Sequence, residues 1–262
     1  MNRAAFFDAV RANPFKGGLS QQQVTGMAAI LDEWEARKFT DLRWLAYMLA
    51  TTFHETARTM QPIHEYGGPQ YFKRYDGRRD LGNTMPGDGN RFHGRGYVQC
   101  TGRANYARAS EELGVDFVAH PDRVLEPRFA AAIMFLGMSH GWFTTKRLSN
   151  YFTDTKADWK NARRIINALD KADTIAGYGK AFYGALLRAD DAMPEPVRPP
   201  PDIPAPERLP SPVDDFDEAD PVRIPKEPEM AQKTGTGSII GLIVIVGLVG
   251  LFIYAKFFAG WI

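Results

Sequence analysis

Twelve of the chain's 18 prolines fall between residues 191 and 236. Proline fixes φ and has no amide donor, so neither a helix interior nor a sheet ladder runs through such a stretch. The segment holds few large apolar residues and carries 11 acidic residues against 5 basic ones, a balance of −6. It is expected to be a disordered, partly polyproline linker. A packed core must then come from residues 1–190, a length that supports one sizeable core. These residues carry 26 Lys+Arg and 20 Asp+Glu, a balance of +6 that the overall net charge of +1 conceals. A moderately basic domain suits an anionic polymer, whether nucleic acid, cell wall or membrane surface, without choosing among them.

After the linker the chain reads IIGLIVIVGLVGLFIYAKFFAGWI, residues 239–262. As a helix, the uncharged run Ile239–Ala255 spans about 25 Å, slightly short of a hydrocarbon core of roughly 30 Å. Continuing through Lys256, whose amine can snorkel, to Trp261 gives ample length. Residues 237–262 are therefore expected to form one transmembrane helix with the lipid bilayer as its partner. Lys226 and Lys233 on one flank and Lys256 on the other leave its orientation open.

The front segment is expected to be mainly α. DLRWLAYMLATTFHETA places Leu42, Leu45, Leu49 and Phe53 at helical spacing, with Asp41 as N-cap. RFAAAIMFLGMSHGWF, from Arg128, is apolar on nearly every face and reads as a buried central helix. DWKNARRIINAL and IAGYGKAFYGALLRAD read as two more helices. Residues 66–102 are rich in Gly, Asp, Asn and Pro and read as long loops with a small hairpin, the kind of region where sites are built. The opening AAFFDAV is short and broken by Asp8, so no signal peptide is read there.

Cys100 is the single cysteine, which leaves no intrachain disulfide and no Cys-based zinc cage. Arg58 stands where an H-E-x-x-H motif would need its second histidine, so no metal site and no cofactor are expected.

Two glutamates stand ten positions apart in FHETARTMQPIHEYG, residues 53–67. Glycoside hydrolysis needs one carboxylic acid to protonate the leaving oxygen and a second carboxylate to activate water or act as nucleophile. Glu55, closing a core-facing helix beside Phe53, has the apolar setting that keeps an acid protonated. Glu65, in a Gly-bounded loop, has a more solvated setting. On the spacing alone, a helix-end acid and an unrelated loop acid are the commoner explanation.

The second stretch that bears on the question is FHGRGYVQCTGRANYARA, residues 92–109. Together with HETARTMQPIHEYG it resembles glycoside hydrolase family 19, in particular its phage-endolysin and chitinase-like members. The family pattern continues from an H-E-T into G-R-G-x-x-Q-L-T-G-x-x-N-Y, and Cys100 stands here for the leucine. PDRVLEPRFAAAIMFLGMSHGWF and ARRIINAL also resemble family segments, with Ala168 and Leu169 replacing two glycines of the latter. The resemblance covers roughly residues 1–190 and implies a lysozyme-like helical domain with long loops and a small hairpin.

It further implies Glu55 as general acid, Glu65 as base, and Thr101 as the hydroxyl that holds the catalytic water or substrate. Gln99 and Asn105 match positions that hydrogen-bond sugar amides and hydroxyls, with Asn167 a looser match. Tyr97 and Tyr106 are read either as sugar-stacking faces or as packing residues. His54 either orients Glu55 or packs between helices. Arg95 and Arg103 either meet substrate carboxylates or fix the loop. Asp76, Asp80 and Asp88 are the substitutes should Glu65 not be the base. Family members invert anomeric configuration, with the two carboxyls roughly 6.5–9.5 Å apart.

Chitin and peptidoglycan are both β-1,4-linked N-acetylated sugars, and the glutamates do not separate them. The basic domain, the endolysin-like motifs and the lack of disulfides favour peptidoglycan over chitin, with no nucleic-acid role. The sequence thus reads as a peptidoglycan hydrolase tethered to a phage virion membrane or host inner membrane, with other virion membrane proteins as possible neighbours. A chitinase and a catalytically inactive wall-binding virion protein are the alternatives.

Overall fold

The computed structural model describes residues 1–191. The Pro-rich linker and the transmembrane helix expected from the sequence lie outside the described residues. Among the described residues no helix is long and apolar enough to cross a membrane.

Helices dominate. α1 is Arg3–Ala12, α2 Gln21–Arg37 and α3 Leu42–Glu55. Two single turns, α4 (Pro69–Phe72) and α5 (Asp88–Arg91), follow within the long loops. α6 is Arg103–Leu113, α7 Pro127–His140 and α8 Ala172–Asp191. Start signals are local. Ser20 and Gln23 close a capping box on α2, and the Asp41 side chain accepts from the Arg43 amide at the head of α3, as its sequence suggested.

α3 is buried without interruption from Leu45 to Phe53, packed against α8 along one side and α2 and α7 on others. The all-round apolarity of α7 also has a plain cause: it is wedged between two hydrophobic clusters. Ala130, Ala131, Met134, Phe135 and Met138 face the main core, whereas Ile133 and Leu136 face a smaller one with Phe92, Cys100, Tyr106 and Phe117.

Strand structure is sparse. β1 (Ile63–His64) pairs antiparallel with β2 (Arg95–Gly96), so the small sheet in this region joins segments about thirty residues apart. A tight turn follows, in which Arg95 and Cys100 exchange backbone hydrogen bonds. β3 (Phe152–Thr153) and β4 (Lys156–Ala157) form a local hairpin.

One expected helix is absent. DWKNARRIINAL forms only a 3₁₀ turn over Asn161–Ile165. Its backbone carbonyls are drawn into tertiary bonds, with Thr144 Oγ1 donating to the Ile165 carbonyl, and the Asp158 side chain holds Asn161 by amide and side chain. Competing local hydrogen bonds of this kind displace a helix ladder.

Candidate functional site

α3 ends in a way that fixes Glu55. Thr56 Oγ1 donates to the Thr52 carbonyl at 2.7 Å and accepts from the Met60 amide at 3.1 Å. Between them Ala57 and Arg58, and then Met60, adopt left-handed backbone (φ 48°, 70° and 55°). Such strain in non-glycine residues costs on the order of 1–3 kcal/mol each and persists only where the surroundings impose it. Gly26 of α2 supplies part of the surroundings, since a Cβ there would sit 1.7 Å from the Met60 carbonyl oxygen.

Glu55 lines a cleft of about 430 Å³ with Gln99, Thr101, Asn105 and Asn167, and with the apolar side chains of Leu81, Val98, Phe143 and Ile166. The apolar burial expected for Glu55 is only half the environment. Arg163, 4% exposed, donates from Nη1 to Glu55 Oε1 at 2.5 Å, while Glu55 itself is 17% exposed. Arg163 Nε also holds the Asp170 carbonyl at 3.1 Å. Glu55 Oε2 takes none of the hydrogen bonds among the described residues, so it is the oxygen free to meet a ligand.

Glu65 follows β1 and stands beside the cleft, not in its lining. Its amide donates to the Gly94 carbonyl at 2.7 Å, which extends the strand pairing by one residue. Its side chain, 18% exposed, accepts from Tyr75 Oη at 2.7 Å and Arg74 at 3.2 Å on Oε1, and from the Gly94 amide at 3.1 Å on Oε2. A solvated loop acid was expected; protein donors hold it instead. A carboxylate has about four acceptor positions, and these donors leave one on Oε2. Tyr75 lines the cleft and links it to Glu65. A Cβ on Gly94 would come within 3.1 Å of Glu65 Oε2 and 3.0 Å of Gln99 Oε1, so glycine lets those two side chains close over the backbone.

The GRGYVQCTG stretch delivers the polar wall. Gly96 and Gln99 take positive φ (86° and 53°) to turn the chain back from Arg95 to Cys100. Gln99 Nε2 donates to the Ile63 and Gly96 carbonyls at 3.2 Å each, and Thr101 Oγ1 donates to the Gln99 carbonyl at 2.8 Å. Asn105, in the first turn of α6, donates to the Thr101 carbonyl at 2.8 Å and keeps its carbonyl oxygen available. Asn167 accepts from the Ala168 amide at 2.8 Å.

Three expected ligand contacts are corrected. Tyr97 is fully buried in the main core, its hydroxyl donating to the Gly26 carbonyl at 3.1 Å. Tyr106 is fully buried in the smaller one, its hydroxyl donating to the His93 carbonyl and accepting from Arg95. Neither ring can stack on a sugar. His54 makes no hydrogen bond to Glu55 and lines a different depression, with Phe53, Arg58 and Tyr178. Burial lowers its affinity for a proton, with the Glu55 charge acting the other way.

The loop arginines are structural. Arg95, almost wholly buried, donates to the Arg91 and His93 carbonyls and pairs with Asp122 at 2.9 Å. Arg103 pairs with buried Asp88, whose other contacts are the Thr84 and Met85 amides. Asp76 accepts from the Gly89 amide. Of the three fallback aspartates only Asp80 lines the cleft, and it is clamped by Arg78. The Cys100 thiol is buried and its pKa pushed up to about 12 by desolvation, which leaves it inert. Among the described residues, no group of three or more His, Cys, Asp and Glu could hold a metal ion.

Over 81 residues the chain is 37% identical to an acidic endochitinase of Petunia hybrida, a match spanning 30% of this chain and 28% of that protein. The chain thus spans under a third of the curated relative it matches. No family profile matches it. Among solved structures it is similar to a bacterial family 19 chitinase, at 19% identity and TM-score 0.48, over 70% of this chain and 93% of that one. It is also similar to chitinase C from Streptomyces griseus HUT6037, at 18% identity and TM-score 0.49, over 71% of this chain and 75% of that one.

Four features were missed by reading the sequence alone: Arg163, Arg74, Tyr75 and the Arg78–Asp80 pair. Arg163 stands in the quoted ARRIINAL, but nothing in that segment shows which of two adjacent arginines turns inward.

Proposed function

We propose that the chain is a glycosidase cleaving β-1,4 bonds between N-acetylated sugars, with peptidoglycan as its polymer. The observation that carries this is the cleft itself, where a carboxylate with one free oxygen faces an array of amides and a hydroxyl. Gln99, Asn105 and Asn167 have the donor and acceptor pattern that acetamido groups and sugar hydroxyls require. The apolar side chains between them suit the faces of sugar rings.

In its protonated form Glu55 donates from Oε2 to the glycosidic oxygen as the C1–O bond breaks, and returns to the carboxylate that pairs with Arg163. Arg163 on Oε1 fixes the rotamer so that Oε2 is presented. Glu65 takes a proton from water through the remaining position on Oε2. The water attacks C1 from the far face and the product has inverted configuration. Arg74, Tyr75 and the Gly94 amide hold Glu65 still through this step. Thr101 and Gln99 line the cleft with Glu55 and contact the water or the sugar.

The +6 balance of residues 1–190 favours an anionic wall polymer over neutral chitin. The similarity to the acidic endochitinase favours chitin, which is the second reading. The apolar run 239–262 supports a membrane tether, and a 46-residue linker reaches about 35–40 Å as a coil. That reach suits an enzyme that works the wall beside a phage or host membrane.

The decisive experiment is Glu55→Gln, assayed on purified peptidoglycan and on chitin oligosaccharides. General acid catalysis contributes roughly 10²–10⁴ in rate, so activity should vanish on whichever polymer the wild type cleaves. Residual turnover above about a tenth of wild type would remove Glu55 from the acid role.

A further inference from the structure

A second depression, of about 470 Å³, borders the same end of α3, where His54, Arg58, Lys171, Thr174 and Tyr178 line it over Phe53. No carboxylate lines it. Arg58 and Lys171 form none of the ion pairs among the described residues. Arg58 instead reaches the Tyr178 hydroxyl at 3.4 Å and lies 5.7 Å from the centre of the Phe53 ring. Phe53 and Tyr178 meet edge to face at 4.8 Å, forming a fixed aromatic wall.

The two cations share the depression without an ion-pair partner, and the nearest acids, Glu55 and Asp170, act on His54 beside them without lining it. Both cations stand on left-handed backbone, with φ 70° at Arg58, in the turn that closes α3, and 55° at Lys171, just before α8.

We propose that this depression binds an oxyanion, a carboxylate or a phosphate, between Arg58 and Lys171, with Tyr178 supporting the group that carries it. The site is wired to the cleft. Arg163 holds Glu55 with one nitrogen and, with another, the carbonyl of Asp170, the residue before Lys171. His54 precedes Glu55 in the chain. The anion site rests on this depression alone. Identifying its occupant with a wall polymer, through stem-peptide carboxylates or polymer phosphates, rests on the glycosidase reading.

The test is a titration of the full-length protein, labelled at histidine, with inorganic phosphate and separately with N-acetyl-D-alanine, following the His54 ring resonances. A saturable His54 shift is expected with at least one probe. Arg58→Gln/Lys171→Gln should weaken it about tenfold or more, since two charge-assisted contacts are lost. The tighter probe identifies the anion's source. The double variant should keep the wild-type melting temperature and its rate on an uncharged N-acetylglucosamine oligomer. A non-saturating shift, or equal affinity in the double variant, overturns the proposal, as does an equal loss of rate on the uncharged oligomer. If the wild type cleaves neither polymer the glycosidase reading fails, and the titration still decides the anion site.

Discussion

Replacing Arg163 with glutamine tests how the cleft is held together. The guanidinium is 4% exposed and has two partners, Glu55 Oε1 at 2.5 Å and the Asp170 carbonyl at 3.1 Å. Removing one member of a dry buried pair costs about 3–5 kcal/mol, because the other charge is stranded. Glu55 is 17% exposed and opens on a cleft that water enters, which relieves part of that penalty. Losing the carbonyl bond adds about 1 kcal/mol. Arg163→Gln should therefore destabilise by about 2–4 kcal/mol, lowering the thermal midpoint on the order of 10 °C for a domain of this size. Urea denaturation of Arg163→Gln, Glu55→Gln and the double variant closes a thermodynamic cycle. Each single change strands the other charge and the double change strands neither, so a coupling of about 2 kcal/mol is expected. A cost under about 1 kcal/mol for Arg163→Gln, with coupling near zero, would show that the pair does not organise the cleft.

Glu65→Gln should reduce turnover roughly 10²–10⁴-fold, with partial rescue by azide, whereas Tyr75→Phe should cost roughly tenfold in kcat through one lost hydrogen bond to the carboxylate; near-wild-type turnover in Glu65→Gln would move the base to Asp80. Tyr47, in the middle of α3, buries a hydroxyl that has no hydrogen-bond partner among the described residues. Tyr47→Phe should thus leave the urea midpoint unchanged or raise stability by up to about 1 kcal/mol, and a clear loss would reveal a hidden partner. The Arg103 side chain, followed by the Met85 and Thr84 amides, holds the Asp88 carboxyl below its ordinary value, with burial opposing. Its contribution is complete above the unfolded value of about 4 and is lost as pH falls through the lower folded value. Asp88→Asn should lower stability at pH 7 by about 1.5–3 kcal/mol and flatten the acid limb of the stability–pH curve; an unchanged acid limb would show that Asp88 does not supply it.

The helices were legible where burial and propensity agree. α3 carries its N-cap and its apolar residues in its own sequence, and α7 announces burial by having no polar face. What periodicity could not supply was the reason for α7's apolarity, because the second cluster is assembled from Phe92, Cys100 and Phe117, residues scattered through loops. ARRIINAL misled for the opposite reason. Its composition favours a helix, but Thr144 and Asp170 lie outside it and claim its polar groups, and Asp158 just upstream holds Asn161 in a local turn.

The two candidate acids could be named from the sequence, but what surrounds them could not. A motif names residues without saying which way each one points. In GRGYVQCTG a single turn sends Tyr97 into the core and Gln99 to the cleft, two positions apart, and the left-handed Gln99 makes that division possible. Aromatic residues beside a candidate cleft invite a stacking role, yet Tyr97 and Tyr106 spend their rings on packing and their hydroxyls on backbone carbonyls. Arg95 and Arg103 likewise tie the segment that carries Gln99 and Thr101 to its neighbours, at Arg91, His93, Asp122 and Asp88. Glu55 and Glu65 are therefore held by arginines of separate provenance. Arg163 arrives from a segment more than a hundred residues downstream of Glu55, and Arg74 from the loop just past Glu65. Each carboxylate keeps an oxygen position for chemistry because its arginine occupies the other oxygen, an arrangement that two isolated glutamates ten residues apart could not have disclosed.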